Sequence, residues 1–217
     1  MKELRAKLGL IHVDEYNIFA REKGFSPLLV HNDAIYGFWL IGQNYRSVSS
    51  DFYGSFPRNL LTRLEKLVPA LRTGKVLHLF SGTMKGDGKR IFTLDINPEL
   101  KPDFCGDAED VDRLCPHDFF DVVLADPPYG ENWRKYPYVK KAPNKKRIVE
   151  RTWYVLKLGG LLIWLDTIIP MWSKRQYRWR GAIGIGVSTN HVVRSLVFLE
   201  KKGEPILNEV TLEKFMR

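Results

Sequence analysis

Cysteine is scarce in this 217-residue chain: there are two, Cys105 and Cys115, too few for a disulfide framework and without metal-ligand spacing. Both read as inert thiols. The five histidines, His12, His31, His78, His117 and His191, form no ligand pattern, so no metal is expected. Long apolar runs are missing as well. The longest, such as residues 158–165, fall far short of the roughly 20 residues that a membrane span requires. The opening MKELRAKLGLIHVDEY has no apolar stretch of signal-peptide length. The expectation is a cytoplasmic protein with no membrane partner. Internal repeats and low-complexity tracts are also absent.

Apolar content is ample: 44% of residues are hydrophobic, with 12 Phe, 9 Tyr and 6 Trp, which excludes disorder as the main state and suits one globular domain. Base exceeds acid, with 34 Lys and Arg against 25 Asp and Glu for a net charge of +9. The excess is concentrated. Between Trp133 and Arg180 there are 13 Lys and Arg and only two acids, Glu150 and Asp166, a local surplus of 11. The same stretch holds Trp133, Trp153, Trp164, Trp172 and Trp179. Cations interleaved with aromatic rings suit a polyanion with stackable bases, so nucleic acid is the expected partner.

Along the chain, residues 34–41 (AIYGFWLI) read as an aromatic-rich strand or buried segment, and residues 49–57 as a loop. A helix is expected over 57–71, with Leu60, Leu61, Leu64, Leu67 and Val68 on one face and Pro69 and Gly74 ending it. Short apolar runs follow. Strands are expected at 75–80, 90–96, 103–107, 119–130, 161–169 and 192–201, with a helix over 145–158 closed by Gly159 and Gly160. Continuous apolar strands joined by crossovers imply a doubly wound α/β sheet, mostly parallel with a late antiparallel strand. Ligands in such sheets sit at the carboxyl ends of the strands. The polar residues at those ends are Phe80-Ser81-Gly82-Thr83, Asp95, Asp107 and Asp126-Pro127-Pro128-Tyr129. In the last, two prolines fix φ and remove two N–H donors, leaving carbonyls free between a carboxylate and an aromatic ring. That pocket offers acceptors for an amino group and a face for a flat ring.

Asp126-Pro127-Pro128-Tyr129 resembles the signature of the class I S-adenosylmethionine-dependent amino-methyltransferases, which methylate exocyclic amino groups. Phe80-Ser81-Gly82 resembles their cofactor loop, with Met84 in place of its second glycine, and Asp95 and Asp107 match their strand-end acids. The resemblance spans roughly residues 53–201. It implies a Rossmann-like methyltransferase domain over 51–202, an N-terminal extension over 1–50 and a tail over 203–217. It also implies S-adenosylmethionine as cofactor. Asp95 would take the ribose hydroxyls, Asp107 the adenine amino group, and Phe80, Ser81 and Gly82 would line the methionine and ribose. Phe56 and Pro57 would pack beside the methionine.

Asp126 and the Pro127 carbonyl, with Pro128 holding the turn rigid, would accept the amino hydrogens of a base stacked on Tyr129. The expected nucleic-acid surface is Trp133, Lys135, Lys140, Lys141 and Lys145 at the pocket mouth, with Lys174, Arg175, Arg178 and Arg180 in a second basic loop facing the same edge. The activity implied is adenine N6 methylation in DNA. RNA methylation, at adenine N6 or guanine N2, is the alternative, and a binding module without catalysis is the reading from another class.

Overall fold

The computed structural model describes residues 7–42, 59–135, 138–187 and 192–203. Strand β1 (Lys7–Leu8) pairs with β2 (Ile11–His12), which leads into helix α1 (Val13–Lys23). Then come β3 (Leu29–His31), β4 (Ala34–Ile41), α2 (Leu60–Leu67) and α3 (Ala70–Thr73). The main alternation is β5 (Val76–Leu79), β6 (Ile91–Asp95), β7 (Phe104–Cys105), α4 (Val111–Leu114), β8 (Phe120–Ala125), α5 (Lys145–Val155) and β9 (Leu156–Asp166). It closes with β10 (Tyr177–Val187) and β11 (Val193–Lys201).

Nine strands form one sheet in the order β3-β4-β10-β11-β9-β8-β5-β6-β7. All run the same way except β3 and β11, which are antiparallel to their neighbours. From β5 the chain winds one way through β6 and β7, then returns to β8 and winds the other way through β9. The switch point lies between β5 and β8, where the strand ends splay into a crevice. This is the α/β architecture expected, with β11 as the late antiparallel strand. It is a single Rossmann-like domain whose sheet takes in residues 29–41 as well.

Both faces of the sheet are buried at its centre, while β3 and one face of β4 are largely exposed. Leu161, Ile163 and Leu165 of β9 join Trp39, Tyr16, Leu60 and Leu64 on one face, while Leu162 and Trp164 join Ile148, Val149 and Trp153 on the other. Burial on both sides explains why these strands carry continuous apolar runs. The helix expected over 57–71 breaks at Pro69, which has no N–H to donate, into α2 and α3. Residues 43–58, including the expected loop at 49–57 with Phe56 and Pro57, lie outside the described residues, as does the tail from 204.

Two boundaries move. Helix α5 ends at Val155 and β9 starts at Leu156 with no loop between, so the expected helix end at Gly159 and Gly160 lies inside a strand. Gly159, at φ +75°, adjoins the register shift between β8 and β9. The second correction is β10. Its residues were expected as a basic loop followed by unassigned chain, but they form an eleven-residue strand. Its glycines make room rather than turns: a Cβ on Gly184 or Gly186 would lie 2.5 or 2.9 Å from the Phe38 ring of β4.

Gly181 is the tightest point. Its φ is +124°, and a Cβ there would meet the Ile35 carbonyl oxygen at 2.0 Å. Gly181→Ala is therefore expected to break the β4–β10 pairing and cost about 2 kcal/mol or more in urea unfolding. Gly88→Ala, also at positive φ (+64°) but with nothing within 4 Å, should cost only about 1 kcal/mol. Equal losses would show that β4 accommodates the methyl group.

Candidate active site

The Ser81 loop follows β5 at the switch point. Phe80 takes the left-handed conformation at φ +57° and Gly82 follows at φ +55°; a phenylalanine held there stores strain, as residues at ligand sites often do. The loop is held by Asp95 at the end of β6. Gly82 N–H donates to Asp95 Oδ2 and Asn97 N–H to Oδ1, each at 2.9 Å. Burial pushes the Asp95 carboxyl up, against the pull of those N–H groups. Asp107 begins the 3-10 turn Ala108–Asp110, accepting from Glu109 N–H at 2.9 Å.

Between these elements lies a shallow recess with Phe80, Asp95, Asp107 and Pro128 in its wall. The segment 139–143 forms its outer side through Val139, Lys141 and Pro143. The residues fit a nucleoside: apolar sides for a ring, and two carboxylates for hydroxyl and amino donors. Ser81, the residue after Phe80 of the wall, has a buried hydroxyl with no hydrogen-bond partner among the described residues. Both Asp95 oxygens already accept a backbone N–H, so a ribose would share them rather than find them free.

Glu109, which the sequence reading overlooked, is 3% exposed and also faces the recess. It accepts from Asn144 N–H at 3.0 Å and pairs with Lys141 Nζ at 2.9 Å, with Arg147 at 3.9 Å. Burial opposes its charge, but these partners outweigh it and hold the carboxyl below its usual value.

At the end of β8 the Asp126-Pro127-Pro128-Tyr129 turn reaches the same edge. The Tyr129 hydroxyl donates to Asp126 Oδ1. Burial pushes the Asp126 carboxyl up to about 6; Tyr129 and Arg194 oppose this, and Asp166 adds to it. Burial, then the neighbouring Asp126 charge, raises Tyr129 well above the usual phenol value. The Arg194 guanidinium lies over the Tyr129 ring, 4.8 Å from its centre. Asp166, fully buried at the end of β9, pairs with Lys145 Nζ at 2.6 Å and accepts from Trp164 Nε1 at 3.3 Å and Thr167 N–H at 2.7 Å.

The structure thus brings together Phe80, Ser81, Gly82, Asp95, Asp107, Asp126, Pro127, Pro128 and Tyr129 at one edge. The basic residues divide. Lys140 is exposed near the pocket, and Trp133 is half-buried under the Arg134 guanidinium. The side chain of Lys135 lies outside the described residues. Lys145 turns inward to Asp166, while Lys141 stays exposed and pairs with Glu109.

The expectation that residues 173–180 face the pocket edge is corrected. Tyr177 stands opposite Lys201, where β11 ends, and Glu200 opposite Leu161 near the start of β9. Lys174, Arg175, Arg178 and Arg180 therefore sit at the amino edge, far from Asp126. Arg180 is 7% exposed and bound to Glu200 at 2.7 Å, with Arg178 on the same carboxylate at 3.4 Å.

Asp166 and Arg194 complete the site and went unremarked in the sequence. Asp166 ends β9, but the strand expected over 161–169 ran three residues past it and hid the strand-end signal that singled out Asp95. Arg194 gives no such signal, because it begins its strand; only the reversed direction of β11 brings a strand start to this edge.

No protein-family model and no curated protein matches the chain. Among solved structures, its fold is similar to that of TrmN from Thermus thermophilus, at 16% identity and a TM-score of 0.49, over 71% of this chain and 51% of that one. It is also similar to an rRNA methylase from Streptococcus thermophilus, at 10% identity and a TM-score of 0.33, over 59% of this chain and 87% of the other. A third is the aminoglycoside resistance methyltransferase NpmB1, at 16% identity and a TM-score of 0.33, over 68% and 97%. The chain spans about half the length of the TrmN structure.

Proposed function

We propose that this protein is an S-adenosylmethionine-dependent methyltransferase that methylates an exocyclic amino group of a nucleobase in nucleic acid. The observation that carries the reading is the half-buried Asp126–Tyr129 pair on a double-proline turn, next to a recess walled by Asp95 and Asp107 at the switch point of the sheet. Asp95, Asp107, Ser81 and the Phe80–Gly82 backbone would hold the cofactor, which when bound supplies an electrophilic methyl group on a sulfonium.

The chain's own residues have to raise the nucleophilicity of a poor nitrogen. The lone pair of an exocyclic amino group is delocalised into its ring. Asp126 and the Pro127 carbonyl accept its two hydrogens, which draws the nitrogen toward a tetrahedral shape and frees the lone pair. Asp126 does this only when ionised. The Tyr129 hydroxyl already occupies Asp126 Oδ1, so the arriving amino group shares or displaces that bond. One face of the Tyr129 ring is taken by Arg194, leaving the other for the base, held in line for attack. A paired base cannot reach this edge, so the substrate is flipped out or single-stranded. Lys140 and Trp133 lie where a neighbouring phosphate and base would pass.

The order of DNA before RNA rests on the sequence resemblance alone, and no contact among the described residues favours deoxyribose. RNA therefore stands level with DNA. The test incubates the protein with methyl-labelled S-adenosylmethionine and parallel pools of DNA and RNA, then identifies the labelled nucleoside after digestion. Label in N6-methyladenine or N2-methylguanine of either pool is the expected outcome. Label confined to protein, or none in either pool, overturns the reading.

A further inference from the structure

The site contains a cation, Arg194, whose action on Asp126 the roles assigned above leave out. Strand β11 runs against its neighbours, so its first residues, not its last, stand at the edge where the parallel strands end. Register fixes which they are: Ser195 is opposite Asp166, the final residue of β9, and Arg194 comes one position nearer the edge. Arg194 is half-buried, with its guanidinium 4.8 Å from the centre of the Tyr129 ring. A planar guanidinium on an aromatic face is an attractive arrangement with a defined orientation, stronger as water is excluded.

We propose that Arg194 is a positioning residue for the Asp126–Tyr129 pair, clamping the phenol from one face so that its hydroxyl stays on Asp126, and supplying a positive charge beside this half-buried carboxylate. The inference rests on the function proposed above and adds a component to its site. The charge pattern around Asp126 makes the need plain. Tyr129 faces it with a neutral donor. Asp166, at the end of β9, adds a second negative charge, and the cation nearest to Asp166 is Lys145 of α5, at 2.6 Å and already committed to it. Arg194 is the cation that acts on Asp126 and Tyr129 together, and its influence on Asp126 is opposite in sign to that of Asp166. Its guanidinium also blocks the ring face on its own side, which leaves a single approach for a flat substrate.

The decisive measurement follows the Asp126 side-chain carboxyl carbon by NMR between pH 4.5 and 8.5, its resonance identified by its loss in Asp126→Asn. Wild type, Arg194→Met and Arg194→Lys are compared. Removing the cation should raise the midpoint for Asp126 by about half a pH unit or more. Lysine, which keeps the charge but not the planar stack, should return most of that displacement. In methyl transfer, Arg194→Met should lower kcat about 10-fold or more with the KM for cofactor within a few-fold, and the acid limb should follow the NMR midpoint. An Asp126 midpoint unchanged in Arg194→Met overturns the proposal, as does a midpoint in Arg194→Lys that matches Arg194→Met. Absence of methyl transfer by wild type overturns the proposed function instead, and the carboxyl titration still decides whether Arg194 governs Asp126. If the methionine variant does not fold, Arg194→Gln replaces it with the same expected displacement.

Discussion

Asp126→Ala is expected to lower methyl transfer by about 10³-fold while leaving the affinity for S-adenosylmethionine within a few-fold. The magnitude is that of losing a preorganised polar group aimed at the reacting atom. The split between turnover and affinity follows from position. Asp126 bonds Tyr129 and does not line the recess, which is walled by Phe80, Asp95 and Asp107 and takes only Pro128 from the β8 turn. Cofactor affinity by calorimetry and single-turnover transfer by labelled methyl count test the two halves separately. Loss of cofactor binding in the alanine variant would merge two roles that the geometry keeps apart.

The same residue sets a pH dependence of known sign. Its folded value of about 6 lies above the ordinary carboxylate value of 3.8. Transfer needs the ionised form, so the rate should fall as pH drops through 6. Stability moves in the opposite direction. The charged form is the one that burial disfavours, so above pH 6 the folded state bears a cost that the unfolded state does not. Asp126→Asn should therefore stabilise the protein at pH 8 by up to about 3 kcal/mol. The gain should shrink as pH falls through 6 and vanish below about 4, where both states are protonated. Urea unfolding at three pH values measures it. A gain that grows toward acid would mean that the carboxylate is stabilised in place.

The second large effect concerns Asp95. Asp95→Ala is expected to weaken cofactor binding by about 100-fold or more and to cost about 1–3 kcal/mol of stability, because one buried side chain serves both purposes. Its two oxygens hold Gly82 N–H and Asn97 N–H at 2.9 Å each. With them gone, the left-handed Phe80–Gly82 backbone loses its tether and two buried donors lose their acceptors. Asp95→Asn keeps one acceptor oxygen and should fall between alanine and wild type in both measurements. Affinity comes from calorimetry and stability from urea unfolding of the same samples. Unchanged affinity in the alanine variant would remove Asp95 from the cofactor site.

The central strands were legible in the sequence because they are buried on both faces, and continuous runs such as residues 161–165 have few other homes. The acids were legible for a related reason: a carboxylate ending an apolar run stands where the chain leaves the core. β10 was not legible. Tyr177, Trp179, Ile183 and Ile185 face inward, but two cations and three glycines interrupt them. The two facts that make it a strand lie elsewhere: Glu200 on β11 neutralises Arg178 and Arg180, and Phe38 on β4 fills the space over Gly184 and Gly186. The start of β9 was hidden because α5 passes into it without a loop, which a glycine pair three residues later could not signal. Arg194 illustrates the general limit: its role depends on strand direction, and direction is a property of the assembled sheet.

The ion pairs along α5 and its surroundings bear on how strongly the protein can hold a polyanion. Of the 13 cations between Trp133 and Arg180, nine lie within ion-pair distance of an acid: Arg134, Lys141, Lys145, Lys146, Arg147, Arg151, Lys157, Arg178 and Arg180. A cation already neutralised from within gives a phosphate little to displace its counterions for, so affinity should decline with added salt as for a ligand touching a few phosphates, not eleven. Weak general attraction leaves more of the discrimination to whichever base enters the pocket.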